Sequence, residues 1–302
     1  MVLAGVAAPL VRKRVNASPL LVQTVAFGAP LGLCVAVPRS RTRDVATCAL
    51  QMWAYLAAYK TPHDDADAQA TRVHVDYPIA ADRVLGLGEL PSVRLQRALA
   101  RLRAQPSQWS ALDGVLVWTH WSWFVFPHGS LAYVLVRDRE RFPRAAVLTY
   151  AVFDLGAIFY WVLPTAPPWY AAEASAEDGR SLAVRRLMVE YGEHFWKDGW
   201  RSLYSVFGGN PLAAMPSLHF ATSVMAALLL AEVGPAAGAL GFGYTATLGF
   251  ALVYLGEHYA VDLLGGALLT AAVRRLEPLA GPALARVRRA VSALEALAHE
   301  GV

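Results

Sequence analysis

Long apolar runs, separated by shorter polar stretches, dominate the pattern of residues along this chain. A helix needs about 20 predominantly apolar residues to cross the hydrocarbon core of a bilayer. Most of the runs lack the polar face that a helix on the surface of a soluble domain carries. The pattern therefore predicts membrane-spanning helices. The predicted spans cover residues 18–37, 44–59, 112–136, 145–163, 218–233, 238–255 and 260–273.

The first of these segments has two interpretations, because residues 18–37 contain Pro19, Pro30 and two glycines. It fits either a full span or a re-entrant segment. The predicted fold class is an all-α integral membrane protein built on a six-helix core bundle. An extra N-terminal span or re-entrant segment and interfacial amphipathic helices complete it.

A polar region at residues 61–110 interrupts the apolar pattern, and residues 91–104 within it predict a basic amphipathic helix. Its apolar face holds Leu95, Ala98, Leu99 and Leu102, and its polar positions hold Arg94, Arg97, Arg101 and Arg103. Such a helix lies flat on a membrane surface. The chain then divides into N-terminal membrane segments (1–60), this polar loop (61–110), the membrane domain with the candidate chemistry (111–279) and an amphipathic tail (280–302).

Composition agrees with a membrane protein, since 56% of the 302 residues are hydrophobic and 17% are charged. Soluble domains carry about 25% charged residues. Cys34 and Cys48 both lie in apolar segments, which excludes a disulfide framework or a paired metal motif. No cleavable signal peptide is evident. The net charge of +4 comes from arginines at segment ends, a pattern that suits anionic lipid rather than nucleic acid.

Arginine placement predicts the topology, because short loops rich in positive charge stay in the cytoplasm. One such loop holds Arg137, Arg139, Arg141 and Arg144. Alternation of the spans brings Arg274 and Arg275 to the same side. It places residues 164–216, and the corner around Glu257, on the extracytoplasmic side. Region 61–110 falls there as well, although its positive charge disfavours that side.

Two polar positions stand where apolar segments meet loops, and the first is the pair His258 and Asp262. Four residues apart on a helix, they share one face. An aspartate there accepts a hydrogen bond from one ring nitrogen and leaves the other as an oriented lone pair. An imidazole held in this way is a competent nucleophile toward phosphorus. The alternative is a helix cap or ion pair at the entrance of a span.

The second position is His219, which follows Pro216 and Ser217 at the start of a predicted helix. Two spans joined by a Gly-Pro turn separate it from His258, and such a hairpin returns both ends to one membrane face. His219 is then able to protonate a leaving alkoxide and to deprotonate an incoming hydroxyl. Ser217 suits a helix cap, and a helix N-terminus binds anions such as phosphate.

Metal binding is the rival interpretation of two histidines and an aspartate, because a catalytic zinc takes three such ligands. The sequence has no second local pair of the His-x-x-His kind. We therefore favour metal-free phosphoryl transfer.

The two motifs resemble those of the type 2 phosphatidic acid phosphatase superfamily, which are Pro-Ser-x-His and His-x-x-x-Asp. Leu218, where the phosphatases usually have glycine, is similar to the inositol phosphorylceramide synthase branch, as is the segment 164–170. The resemblance covers roughly residues 110–275. It implies a six-helix core with an extracytoplasmic site, His258 as the nucleophile that forms a phosphohistidine, Asp262 as its orienting partner, His219 as general acid and base, and no metal or other cofactor.

The chain departs from that family pattern in its cationic groups. The first motif, a lysine with a downstream Arg-Pro, is not evident, and Leu252 stands where the third motif has an arginine. A phosphoryl transition state needs cationic partners. Our candidates for phosphate or substrate binding, besides Ser217, are Arg185, Arg186, Lys197, Arg201, Trp169 and Tyr170. For the four basic residues the alternative is a solvated loop helix, and for the two aromatic residues it is anchoring at the membrane interface.

Three further polar residues lie inside predicted spans. We expect His120 and His128 to be buried groups with their hydrogen bonds satisfied. Asp154 at mid-span needs a partner, for which those histidines are candidates. The tryptophans of the span 112–136, which also holds the two histidines, are expected to serve packing and the membrane interface.

The preferred hypothesis is an integral plasma-membrane enzyme that moves a phosphoryl or phosphoalcohol group from a lipid phosphate or phosphodiester to an alcohol. A lipid phosphate phosphatase that uses water is the first alternative. A non-catalytic lipid-binding or transport protein is the second, and a metal-dependent membrane hydrolase or oxidoreductase is the third. The sequence leaves the oligomeric state open.

Overall fold

The computed structural model describes residues 1–60, 71–103, 105, 108–177, 182–207 and 210–299, and within these ranges the chain is helical without a β-strand. The helices are α1 (Val2–Val15), α2 (Pro19–Ala36), α3 (Arg41–Lys60), α4 (Asp76–Leu85), α5 (Pro91–Ala100), α6 (Ala111–Ser122), α7 (Phe126–Arg137), α8 (Phe142–Val162), α9 (Pro168–Glu177), α10 (Leu187–Trp196), α11 (Gly199–Phe207), α12 (Leu218–Val233), α13 (Pro235–Tyr254) and α14 (Ala260–His299).

Three helices in the described ranges, α2, α8 and α13, are long and apolar enough to cross a membrane, and α12 is apolar but shorter. Residues 18–37, for which the sequence left two interpretations, form one continuous helix, α2, despite Pro30 inside it. The protein is thus an all-α membrane protein, as predicted. The sequence analysis did not anticipate α1, which packs on α2.

Helix α12 is the central element of the bundle and packs against α7, α8, α13 and α14, while α3 packs on α8. With α6 and α7 counted as one interrupted element, these are the six helices of the predicted core. Helix α2 adds to it by packing against α3 and α14. The main core includes Phe153, Leu218, Met225 and Leu229, all nearly inaccessible to solvent. Close van der Waals packing of such side chains stabilises the arrangement, because lipid tails are as apolar as this core and give no hydrophobic driving force between helices.

The prediction of one uninterrupted span at 112–136 is wrong. Helix α6 ends at Ser122, and residues 123–125 form a tight turn in which the Trp123 N–H donates to the His120 carbonyl. Helix α7 begins at Phe126, with Pro127 in its first turn. Proline has no N–H to continue the helical ladder, so the backbone breaks before it.

The expected partner of Asp154 is also wrong. Its Oδ2 atom accepts a hydrogen bond of 2.8 Å from the side-chain amide of Gln51 on α3, rather than from a histidine. The partner of this oxygen thus lies on a helix that packs sideways against α8, and the sequence does not show which helix that is.

At one end of the bundle, ion pairs join elements that are distant in sequence. Arg144 pairs with Glu232 and Glu277, and Arg274 pairs with the same Glu232. Both arginine clusters therefore share one end, as the topology predicted. Helix α14 continues without interruption past residue 279, where the sequence suggested a boundary, even though it contains Pro278 and Pro282.

The other end carries the loops. The Thr165 backbone bridges to His74 on one side and to Ala213 on the other. Helix α12 starts at this end with Leu218, and its 16 residues reach the arginine end about 24 Å away at 1.5 Å per residue. The described parts of 61–110 and of 164–216 thus lie together at the end where α12 begins.

Candidate active site

His219, His258 and Asp262 form a continuous chain of polar contacts at the loop end of the bundle. The His219 Nδ1 atom lies 3.2 Å from the His258 Nε2 atom. The other ring nitrogen of His258, Nδ1, lies 3.2 Å from Asp262 Oδ2. An aspartate at Nδ1 favours the tautomer that carries its proton there and leaves Nε2 of His258 as the reactive lone pair. His258 and Asp262 are almost fully buried.

The start of α12 is tied directly to the start of α14. The Ser217 N–H donates to the Asp262 carbonyl at 3.0 Å, and the Ser217 side chain caps α12 by accepting from the Phe220 N–H. The Asp262 carboxylate also accepts from the Tyr259 N–H at 2.9 Å, which caps α14. The expected cap at Ser217 is therefore present. These bonds fix the distance between the two histidine-bearing elements.

A glycine corner at residue 256 carries the chain from α13 to His258. Gly256 has φ +79°, a left-handed conformation that favours glycine. A Cβ atom there would stand 2.5 Å from the Arg185 carbonyl oxygen. The Trp169 N–H donates to the Gly256 carbonyl, and the Leu187 N–H donates to the Leu255 carbonyl. Two loop segments therefore hold the corner in place from outside the bundle.

Arg186 is the predicted basic residue that the structure brings to this corner. Its guanidinium donates to both carboxylate oxygens of Glu257, at 3.0 and 3.4 Å, next to His258 in the chain. It also stacks on the Trp169 ring, 3.6 Å from the ring centroid. Burial opposes the positive charge, but the Glu257 carboxylate outweighs it and raises the pKa of Arg186 above its usual value. Tyr170 lies beside Trp169, with ring centroids 5.8 Å apart.

The structure does not bring the other three basic candidates to the histidines. Arg185 is exposed and pairs with Glu190 on the protein surface. Lys197 and Arg201 line a separate surface cavity together with Glu193 and Asp198. A role of these three residues in phosphate binding stays a prediction.

Leu218 and Leu252 show how the departures from the phosphatase pattern are accommodated. Leu218 packs into the space beside Gly156, where an added Cβ atom would collide with the leucine side chain. Leu252 is fully buried and apolar, and its carbonyl accepts from the N–H groups of Glu257 and His258. The position of the missing arginine therefore contributes a backbone acceptor to the corner and no charge.

Asp82 on α4 is a site residue that the sequence analysis missed. Its Oδ1 atom accepts from the Val261 N–H at 2.9 Å, so a second carboxylate caps the helix that carries Asp262. Burial raises the pKa of Asp82 to about 6, against the opposing effect of that hydrogen bond. No local motif marks the residue, because the two partners are 179 positions apart.

Helix α5 and the residues after it support the end of α13 from the same polar region. The Gln96 side chain donates to the Tyr254 carbonyl at 2.9 Å and to the Arg185 carbonyl at 2.8 Å. Arg103 pairs with buried Asp113 at 3.0 Å, and the Tyr254 hydroxyl donates to the same carboxylate. The predicted amphipathic helix is thus present, and its described residues support the glycine corner at residue 256 through these contacts.

His120 and Trp123 surround His219, and His120 corrects a prediction. The rings of His120 and His219 are stacked with centroids 5.1 Å apart, and the Trp123 ring lies 4.1 Å from that of His219. His120 is buried as expected, but neither of its ring nitrogens has a hydrogen-bond partner. The Nε2 atom of His128 also has none. The prediction that the hydrogen bonds of these histidines are satisfied is therefore wrong for these nitrogens. An unpaired buried polar group costs about 1–3 kcal/mol.

Within the described residues, no group of three or more histidine, cysteine, aspartate or glutamate side chains is placed to hold a metal ion. Among the described residues of the site are the imidazoles of His219 and His258, the carboxylate of Asp262 and the guanidinium of Arg186. Such a set can attack phosphorus, move a proton to and from an oxygen, and hold an anion.

Comparison with known proteins gives one family match and three related enzymes. The family model described as the PAP2 superfamily matches residues 93–276. The catalytic subunit of inositol phosphorylceramide synthase from Schizosaccharomyces pombe is 33% identical over 118 residues, which cover 37% of this chain and 26% of that protein. Inositol phosphorylceramide synthase from Candida albicans is 30% identical over 125 residues, covering 39% and 26%.

The catalytic subunit of the Saccharomyces cerevisiae inositol phosphorylceramide synthase is 30% identical over 121 residues, covering 38% of this chain and 29% of that protein. The chain thus aligns with less than a third of the length of these curated relatives. No solved structure matches the chain significantly.

Proposed function

The chain belongs to the PAP2 superfamily, and from that premise we propose that it is a membrane phosphotransferase. It moves a phosphoryl or phosphoalcohol group from a lipid donor to an alcohol acceptor through a phosphohistidine at His258. The observation that carries the proposal is the unbroken contact chain Asp262–His258–His219, with two separations of 3.2 Å. It joins a nucleophile, its orienting carboxylate and a proton donor.

In the first half-reaction, the Nε2 lone pair of His258 attacks phosphorus and forms a P–N bond. The bond between phosphorus and the donor lipid oxygen breaks. His219, which enters this step protonated on both ring nitrogens, gives its Nδ1 proton to that oxygen and becomes neutral. The Nδ1–H of His258 remains hydrogen-bonded to Asp262, which stabilises the positive charge that develops on the ring. Before the reaction a hydrogen lies between His219 Nδ1 and His258 Nε2, and in the intermediate the phosphorus atom bonded to Nε2 takes that position.

In the second half-reaction, the same groups act in reverse. An acceptor alcohol gives its proton to Nδ1 of His219 while its oxygen attacks phosphorus, and the P–N bond to His258 breaks. The ester of the acceptor leaves, and both histidines return to their starting states. A water molecule at the acceptor position would turn the same cycle into hydrolysis.

Two kinds of group meet part of the charge on the phosphoryl oxygens. The N–H groups at the start of α12, which begins with Leu218 and His219, offer donors and the positive end of the helix dipole. Arg186 supplies a full positive charge at the corner next to His258. Phosphate oxygens compete with Glu257 for its two donors, and Trp169 holds the guanidinium plane in either state.

The names of the relatives point to a substrate class for this chain. A product that contains inositol, phosphate and ceramide implies a phosphoinositol group as the transferred unit and a lipid alcohol as the acceptor. The proposal places the enzyme in the plasma membrane with its histidines on the extracytoplasmic side. The arginine clusters share the opposite end of the bundle, which supports the extracytoplasmic position proposed for the histidines.

The test uses the purified full chain in mixed micelles. Phosphatidylinositol, phosphatidic acid and a polyprenyl phosphate, each labelled at phosphorus, are offered with and without a ceramide or diacylglycerol acceptor. We expect transfer of label to the acceptor lipid, unchanged by EDTA, and a labelled protein band after an acid-free quench. His258→Ala should lose both the turnover and the label.

Retention of turnover by His258→Ala would contradict the proposal. Release of label only as water-soluble phosphate would assign the chain as a phosphatase instead. Activity that disappears with EDTA and returns with a divalent metal would support the metal-dependent alternative. Lipid binding without turnover, unchanged in a His219→Ala variant, would support a non-catalytic role.

A further inference from the structure

His120, on α6, is a buried histidine to which the proposed reaction gives no role. Its side chain is 5% exposed, and neither ring nitrogen has a hydrogen-bond partner. Buried polar groups in proteins are nearly always paired, and each exception needs its own explanation. A neutral imidazole always carries one N–H donor and one acceptor, so His120 offers both without a partner.

The position of His120 links it to the reacting groups. Its ring stacks on that of His219, with centroids 5.1 Å apart and planes inclined by 26°. It is close enough to His258, Glu257 and Arg186 for electrostatic interaction with each of them. His120 thus lies against the ring of the proposed proton donor and within electrostatic range of the proposed nucleophile and the cation.

The site also needs an anion-binding donor that the described groups do not provide in full. Phosphoryl transfer spreads negative charge over non-bridging oxygens, which require donors on more than one side. Leu252, buried and apolar, occupies the place of the family arginine. The guanidinium of Arg186 is shared with the Glu257 carboxylate. A donor without a partner and an anion without enough donors therefore meet at one place.

We propose that His120 is a third histidine of the active site, and that its ring N–H donates to a non-bridging oxygen of the transferred phosphoryl group. No covalent bond forms at His120, and it neither gains nor loses a proton in the cycle. The inference rests on the proposed function, because it assumes that a phosphoryl group occupies the space between His219 and His258.

The discriminating variant is His120→Phe, which keeps an aromatic ring against His219 and removes both nitrogens. His120→Gln restores an N–H donor without the ring. His128→Phe is the matched control. His128 is another histidine in the bundle with an unpaired Nε2 atom, but its ring lies among Tyr150 and Phe153.

Two measurements are made on each purified variant in mixed micelles. The first is kcat and KM for phosphoryl transfer with the donor that the wild type uses. The second is binding of orthovanadate, which mimics the transferred phosphoryl group and needs no turnover. Thermal unfolding midpoints confirm that each variant is folded.

We expect His120→Phe to lower kcat on the order of 100-fold with a smaller change in KM, as the loss of one donor to a developing oxyanion does. Orthovanadate binding should weaken at least about tenfold, which corresponds to one lost interaction with the anion. His120→Gln should recover part of both losses. His128→Phe should match the wild type.

Equal kcat and equal orthovanadate affinity in the wild type and His120→Phe would overturn the inference. So would equal losses in His120→Phe and His128→Phe, since these would reflect the removal of any buried histidine. A wild type without turnover would overturn the proposed function. The orthovanadate comparison would still decide whether His120 binds the anion.

Discussion

The Nε2 atom of His258 lies 3.2 Å from the Nδ1 atom of His219, although 39 residues separate the two histidines in the chain. At that distance one nitrogen carries a hydrogen and the other presents a lone pair. Asp262 determines which nitrogen of His258 carries the hydrogen. Its carboxylate accepts a hydrogen bond from Nδ1–H, which leaves Nε2 as the acceptor. In the proposed mechanism, the proton on His219 goes to the leaving oxygen and the lone pair on His258 attacks phosphorus.

Replacing Asp262 by Asn tests this proton arrangement. The amide keeps the size of the carboxylate but has no charge to stabilise the imidazolium, and in one orientation it also turns an N–H toward His258. We expect kcat to fall by about 10³–10⁴-fold, as in other carboxylate–histidine pairs. The measurement is steady-state transfer together with phosphoenzyme formation after rapid quench. A loss smaller than about tenfold would contradict an orienting role, on the same scale.

Arg186 and Arg185 are neighbours in the chain that should behave differently. Arg186→Ala removes the cation beside His258, and we expect kcat to fall on the order of 100-fold. Arg186→Lys should recover little, because an ammonium cannot reproduce the planar stack on Trp169 or the fork toward an anion.

Arg185→Ala serves as the control for Arg186. It removes a surface ion pair to Glu190, and such pairs contribute about 0–1 kcal/mol. We expect its kcat and KM to remain close to wild type. Similar losses in both variants would show that the loop, rather than the Arg186 guanidinium, is what matters.

A methyl group at Gly256 should displace the corner before His258. Gly256→Ala forces a left-handed φ on alanine and brings the new Cβ against the Arg185 carbonyl. We expect a loss of stability of about 1–2 kcal/mol and a larger proportional loss of kcat. Thermal unfolding and transfer assays measure the two effects.

Gly243→Ala is the matched substitution within α13. Nothing lies within 4 Å of a Cβ atom built there, so no collision opposes the change. Alanine in a helix interior is favoured over glycine by about 0.5–1 kcal/mol. The variant should be as stable as wild type or slightly more so, and fully active. Inactivation of both glycine variants would contradict a specific role for the corner.

Asp82 should support the active site from outside the region matched by the family model. Asp82→Ala removes the acceptor for the Val261 N–H, and the loss of such a cap lowers stability by about 1 kcal/mol. We also expect lower kcat, because the helix carrying Asp262 is then less well held. Asp82→Asn keeps an acceptor oxygen and should retain most of the activity. An equal loss in both variants would argue against capping as the cause.

The raised pKa of Asp82 predicts a pH dependence of stability. Its folded-state pKa of about 6 lies above the unfolded value of about 3.9, so folding favours the protonated carboxyl. This contribution is fully present below about pH 4 and is lost as the pH rises through 6. Relative to Asp82→Asn, the wild-type unfolding midpoint should therefore fall between pH 4 and 6 and stay level above 7. A constant difference, or a rise over that interval, would contradict the shift.

Much of the architecture follows from local patterns. Apolar length alone places α2, α8, α12 and α13, because a bilayer accepts only segments that satisfy their own backbone and bury few charges. The hairpin of α12 and α13 brings His219 close to His258, because two spans of similar length return the chain to the membrane face from which it started. The shared end of the two arginine clusters follows from the same alternation.

Other features depend on packing that no local pattern encodes. Gln51 pairs with Asp154 and Asp82 caps α14 across 103 and 179 residues. Arg186 pairs with Glu257, whereas its neighbour Arg185 pairs with Glu190 on the surface, and no local pattern distinguishes the two arginines. Likewise, the sequence does not show that the ring nitrogens of His120 lack partners or that its ring stacks on that of His219.

The sequence by itself determined that this chain is a helical membrane protein with two histidines and an aspartate at one end. Those properties are set by hydrophobic length and residue spacing, which act along the chain. Only the tertiary structure decided which cation, which cap and which third imidazole surround them. The reason is that the rotation of one helix about its axis relative to another is fixed by side-chain packing over long sequence separations.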